Sequence, residues 1–191
     1  MGIRSESKEK TRKLLLEKTA LLLYNKGFMN VSTKDISREC NLSQGTLFLH
    51  FETKENLFTT IINTNIDNLE KDLKKNCNIK NPRDSFLKSF LDVIIEYESF
   101  LSRTYKDIDY LNDKLKKNVD GLENLIKSLF FDNFRQNPVK KQSIVDTFIS
   151  IDAFLAQIHV NLVEKEVYSK HNSIIRQRRG KLLKLYRTLF E

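Results

Sequence analysis

The chain has 191 residues, a net charge of +8 from 33 Lys and Arg against 25 Asp and Glu, and only 5 Gly and 2 Pro. So few turn-forming residues argue against an all-β fold, and 40% hydrophobic with 30% charged residues excludes intrinsic disorder. The glycines never fall at the spacing of a phosphate-cradling loop, and Cys40 and Cys77 alone make neither a zinc site nor a disulfide framework, so no cofactor or metal is expected and a reducing compartment is implied.

The N-terminal residues MGIRSESKEKTRK are polar and lack the apolar stretch of a signal peptide, and Glu6 stands where a myristoylation motif needs Ser or Thr. No apolar run approaches the ~18 residues of a membrane span. A cytoplasmic protein is the expectation. From there the chain reads as a series of helices. Over 8–26, Leu14, Leu15, Leu22 and Leu23 share one stripe, and Gly27 ends the helix. Two short helices, 33–40 and 44–50, flank Asn41-Leu42-Ser43. Thr53 caps a helix running from Lys54 to about Lys75, and Asn76–Pro82 is a break.

Beyond Pro82, periodic stretches cover 83–103, 107–119 and 121–136. Pro138 marks a further break, before stretches at 139–167 and 172–190. The spacing therefore predicts an all-α fold of about nine helices, with a three-helix head on a larger helical body. The boundary falls inside the fourth helix, giving units 1–58 and 59–191. The charge divides unevenly: +3 in 1–58, −1 in 59–169 and +6 in 170–191. A basic end alone is more often a solvated face than a binding surface.

The segment Thr33–Lys54 is the informative one. Ile36, Leu42, Leu47 and Phe51 are spaced to pin two short helices across a three-residue turn, the helix-turn-helix arrangement. Asn41 sits where the chain reverses and tolerates left-handed geometry, and Ser43 caps the second helix. These residues, with Gly27-Phe28, Thr33, Ile36, Leu42-Ser43, Gly45, Leu47-Phe48, His50-Phe51, Lys54 and Leu57, closely resemble the TetR family of bacterial transcriptional repressors over residues 8–60. Ser37 and Cys40 stand where that family usually has Ala, Asn41 replaces its usual Gly, and Phe48 replaces a Tyr whose hydroxyl contacts a DNA phosphate.

The resemblance implies a sequence-specific regulator: a homodimer that binds a palindromic operator in double-stranded DNA and is released by a small-molecule effector. A second helix entering the major groove nominates Ser43, Gln44 and Thr46 for base edges, with Gln44 able to pair bidentately with adenine. Gly45 would let the backbone approach, and Leu49 would touch a thymine methyl. Thr33, alternatively only a helix cap, joins His50 and Lys54 as phosphate contacts. Lys8, Lys10, Arg12 and Lys13 would add an arm, disordered in the free protein.

In the body, aromatic residues crowd the middle helices. Phe90, Ile94, Tyr97, Tyr105, Tyr110 and Phe134 are the nominated effector residues, with a mild preference for an apolar or aromatic ligand. An aromatic stripe at this spacing is also what an ordinary core shows. Wide apolar faces on the last two helices suggest a dimeric four-helix bundle through Phe148, Ile151, Asp152, Leu155, His159, Leu162, Leu182, Leu185, Tyr186 and Leu189, with a ligand-pocket role as the alternative for Asp152 and His159. The three His are scattered and no catalytic constellation is visible, so no enzyme is expected. A helical adaptor that ignores DNA is the main rival, and a membrane-surface role for the basic last helix is a third reading.

Overall fold

The computed structural model of the chain describes residues 3–138, 143–165 and 172–190. Among them lie nine α-helices and no strand: α1 (Ile3–Lys26), α2 (Thr33–Cys40), α3 (Gln44–His50), α4 (Lys54–Asn76), α5 (Arg83–Glu96), α6 (Glu98–Lys106), α7 (Asp113–Gln136), α8 (Ile144–Val163) and α9 (Ile174–Phe190). Short 3-10 turns, Phe28–Asn30 and Ile108–Tyr110, follow α1 and α6.

The expected number of helices is reached through a different division of the chain. The expected 83–103 helix breaks at Tyr97, and the stretches 107–119 and 121–136 fuse into α7 with Gly121 inside it. The break has long-range causes. The Tyr97 hydroxyl donates to Asp72 of α4 at 2.7 Å. The next residue, Glu98, is buried and turns its carboxylate onto the N-terminus of α9, accepting from the Ile174 N–H at 2.8 Å and from the Ser173 hydroxyl. That carboxylate supplies the capping that a helix start requires. Pro138 follows α7, and residues 139–142 lie outside the described residues. Both ends of the expected 139–167 helix fall outside the described residues, and α8 itself begins at Ile144 behind a Ser143–Asp146 capping box.

One apolar core joins head to body. Its continuity runs along α4, where Leu57, Phe58, Ile61, Ile62, Ile66, Leu69 and Leu73 are buried at spacings of three and four. In the body, Phe130 of α7 meets Phe86 and Phe90 of α5 edge-on at 5.1 and 4.8 Å, and Tyr186 of α9 meets Phe154 of α8 at 5.3 Å. Such rings add ~0.5–1.5 kcal/mol each beyond their buried area. Cys40 and Cys77 are buried, and burial pushes the Cys77 thiol up to about 12, so neither is a poised thiolate.

The packing corrects the expected dimer seam. Ile151, Leu162, Leu182 and Tyr186 are buried in the chain's own core, while Leu185 and Leu189 are half-buried against it. Of the basic residues of α9, Arg179 pairs with Asp92 and Arg187 with Asp84, both on α5, and Arg178 donates to the buried Asn161 of α8. The unpartnered apolar face belongs to α8 alone. Among the described residues, five of the ten large apolar side chains that stand exposed lie there: Ile144, Val145, Phe148, Ile149 and Val160. Val145, Ile149, Ala156 and Val160 form one stripe, opposite the buried Ile151, Phe154 and Ile158.

Candidate nucleic-acid interface and effector cavity

The helix-turn-helix is built as its residue types dictate. Ile36 and Leu47 are fully buried and Phe51 nearly so, which locks α2 against α3. Asn41 ends α2 in the left-handed region at φ 54. Ser43 caps α3 by accepting the Thr46 N–H at 3.0 Å, and Thr53 caps α4 by accepting the Asn56 N–H at 3.0 Å. The cap of α2 is Ser32, not Thr33. Ser32 and Asp35 form a reciprocal capping box, and hydrogen bonding from Ser32 brings the Asp35 carboxyl down to about 2.

Thr33 is thereby free for another task. Its hydroxyl donates to Gln44 Oε1 at 3.0 Å, across the turn from α2 to α3. One carbonyl lone pair of the exposed Gln44 is thus engaged inside the chain. The Thr46 and Ser43 hydroxyls also pair with each other at 2.9 Å. Replacing Thr33 with Val should leave the free energy of folding unchanged to within ~0.5 kcal/mol, as expected at a half-exposed site away from the core. The same change should relax base preference at the Gln44 position alone, which binding to a panel of single-base operator variants would measure.

Leu49 is 80% exposed and Phe48 45% exposed on the outer side of α3. Lys54, at the start of α4, reaches the Val31 carbonyl at 3.4 Å and lies 5.4 Å from the Phe58 ring, so its ammonium stands beside the entry to α2. His50 sits beneath the first turns of α1. Burial, then the nearby Lys8 and Arg12 charges, lower its pKa, and its Nδ1 has no protein partner among the described residues. The disordered arm expected at the N-terminus is instead helix, since α1 starts at Ile3. Arg12 is tied in, stacked 4.3 Å over the Phe51 ring and donating to the His50 carbonyl at 3.4 Å, while Lys8, Lys10 and Lys13 remain exposed.

The body holds a cavity of about 230 Å³ between α5, α6, α7 and α8. Phe90, Ile94 and Tyr105 line it as expected from the sequence, with Leu101 and Ile126. Three other nominated residues do not. Tyr97 turns to Asp72, Tyr110 is 64% exposed beyond α6, and Phe134 packs on Phe190 at 4.4 Å. Four residues expected at a dimer seam instead face the cavity: Asp152, Leu155, His159 and Leu162. Asp152 pairs with Lys127 at 2.9 Å, and His159 stacks on Tyr105 at 4.3 Å. Burial pushes the Tyr105 hydroxyl's pKa up, and its hydrogen bond to Glu123 adds to that. Glu123 and Lys127 carry no signal in the sequence, because their helix reads as a plain amphipathic stripe.

Cavity and head meet through α6. Leu101 and Tyr105 line the cavity, while Arg103 pairs with Asp107 at 3.5 Å beside the end of α1. The Phe28 N–H donates to Asp107 Oδ2 at 2.8 Å, a buried bond between residues 79 apart. Gly27 makes room for it at φ 87, ψ 158.

Residues 15–61 match the family model for bacterial regulatory proteins of the tetR family. Over 107 residues, 52% of this chain, it is 31% identical to the uncharacterized HTH-type transcriptional regulator YuxN of Bacillus subtilis (strain 168), and the match spans only 35% of that relative. Among solved structures, a TetR-family regulator from Marinobacter aquaeolei VT8 superposes with a TM-score of 0.76 over 94% of this chain and 91% of its own, at 17% identity. AibR, solved with isovaleryl coenzyme A and operator DNA, superposes with a TM-score of 0.69 over 92% of this chain and 98% of its own, at 15% identity. At these identities the solved structures share the fold with this chain. Among the described residues no helix is long and apolar enough to cross a membrane.

Proposed function

We propose that the chain is a regulator of the TetR family, a cytoplasmic, homodimeric repressor that leaves a palindromic operator when a small molecule fills the body cavity. Residues 1–58 serve as the DNA-binding unit and 59–191 as the effector-binding and dimerising unit. The observation that carries this reading is the recognition helix. It is short, capped at Ser43, pinned by Leu47, and presents Gln44, Gly45, Thr46 and Leu49 outward with Thr33, His50 and Lys54 around it. That geometry suits a helix laid in a major groove, with flanking groups on phosphates.

The cavity supports the effector half. Its walls are mostly apolar, which favours an apolar or aromatic ligand, and its polar groups, Lys127, Asp152, Glu123 and Tyr105, are paired with one another. A ligand wedged against Tyr105 and Leu101 displaces α6, and α6 holds the head through Asp107. The ligand then favours the arrangement in which the two heads miss successive grooves. AibR, with its acyl coenzyme A and operator, shows this fold holding both kinds of ligand.

A mobility-shift assay with the DNA upstream of the chain's own gene tests the reading, and the absence of any complex at low salt overturns it. If each subunit neutralises about three phosphates, log K should fall with log salt at a slope of about −5. Replacing Lys54 with Ala should weaken all duplexes alike and make that slope shallower by about 1 per half-site, whereas Gln44→Ala should relax preference at one base pair.

A further inference from the structure

Gly45 is a glycine that nothing among the described residues requires. Its φ is not positive; only Gly27 among the described glycines has that geometry. A methyl placed on Gly45 would touch only the Ser43 hydroxyl oxygen, at 3.7 Å, an ordinary contact. Glycine within a helix nonetheless weakens it relative to alanine. The bare position therefore answers to something outside the chain.

Leu49 lies one turn further along the same stripe of α3, 80% exposed. It takes no part in the head's core, which closes through Ile36, Leu47 and Phe51 on the opposite side. The polar groups around it are already occupied in part: Thr33 holds the Gln44 carbonyl, and Ser43 holds Thr46. The outward face thus consists of a notch at Gly45 and an apolar ridge at Leu49.

In a major groove the one apolar group among the base edges is the C5-methyl of thymine. We propose that Leu49 is a specificity-determining residue that reads a thymine methyl in each half-site, and that Gly45 clears the space that lets the helix approach closely enough for this contact. The proposal rests on the DNA-binding reading above and sharpens it to a base. The contact does not need the family's usual tyrosine hydroxyl, which Phe48 lacks. Guanine and adenine offer Leu49 only polar edges, and cytosine offers an N–H donor that leucine leaves unpaired.

The test starts from duplexes selected from a random pool by the full-length protein. In the selected operator, deoxyuridine replaces thymidine at each position in turn, which removes one methyl and keeps every hydrogen bond. The wild-type protein should lose about fourfold in affinity at one symmetric position per half-site, the value of one buried methyl, and little elsewhere. Leu49→Ala, compared at a salt concentration low enough for it to bind, should show no such loss at that position. Gly45→Ala should keep or raise the Tm and still bind the operator several-fold more weakly. Uniform indifference to uridine overturns the proposal, and so does a methyl effect of equal size in Leu49→Ala. Recovery of no duplex at any salt overturns the DNA-binding reading itself, an outcome distinct from both.

Discussion

Gly27→Ala is expected to destabilise the chain by about 3 kcal/mol, the upper end for forcing a side chain into a backbone region that only glycine populates. At φ 87 and ψ 158 no L-residue is at ease. The added methyl would also lie 2.9 Å from the Arg103 guanidinium and 3.1 Å from Asp107 Oδ2, so it would push apart the bond between Phe28 and Asp107. Asp107→Ala should cost about 2 kcal/mol by leaving the buried Phe28 N–H unsatisfied. Because both changes break one seat, their effects should not add. The double variant should fall short of the sum by about 1 kcal/mol or more. Urea denaturation of the four proteins measures this, and strict additivity would show that the seat is not a unit. The functional consequence follows from α6. With its grip on α1 lost, a ligand in the cavity has no path to the head through Asp107, so the operator affinity of either variant should respond less to a ligand that releases the wild type.

No residue type announces that seat. Gly27 reads as a helix stop, which it is, and Asp107 reads as one more charge in an amphipathic stretch. What joins them is a tertiary bond between residues 79 apart. The head's own elements were legible because their causes are local. Ser43 and Thr53 cap the helices that begin beside them, Asn41 reverses the chain within three residues, and Ile36, Leu47 and Phe51 meet across one turn. In the body the causes are distant. The break at Tyr97 is made by Asp72 and by the demand of α9 for a capping carboxylate, and neither could be read from the spacing between 83 and 103.

The same distinction explains the exchanged residues of cavity and seam. A wide apolar face on a helix says that two sides are covered without saying by what. On α9 the cover is the chain's own core, so Leu182 and Tyr186 never reach the surface. On α8 the side turned to α6 and α7 carries Asp152, Leu155 and His159 into the cavity wall, while Ala156 stands both on that wall and on the outward stripe. One helix thus lies between the cavity and the exposed apolar stripe that the proposed dimer would bury.

Ile149→Glu should therefore convert the proposed dimer to a monomer without unfolding it. Ile149 is 61% exposed at the centre of the α8 stripe between Val145 and Ala156, so a carboxylate there is solvated in the single chain and buried unpaired in the pair. The single chain should keep its free energy of folding to within ~0.5 kcal/mol, as surface substitutions do. In the dimer the change removes an apolar side chain from each of two facing stripes, a loss of ~1.5–3 kcal/mol per copy before the charge is counted. Operator affinity should fall by about 100-fold or more, because two tethered heads gain that much from acting on one duplex. Sedimentation velocity at micromolar protein reports the assembly, and titration of a palindromic duplex and of its single half-site reports the affinity. Wild type should prefer the full palindrome strongly, and the variant should bind palindrome and half-site nearly alike. Leu21→Glu, at an apolar residue equally exposed but on α1, should remain dimeric and serves as the control. A variant at Ile149 that stays dimeric and retains full palindrome affinity would move the seam off α8, and with it the inference that the cavity wall and the dimer surface are two faces of one helix.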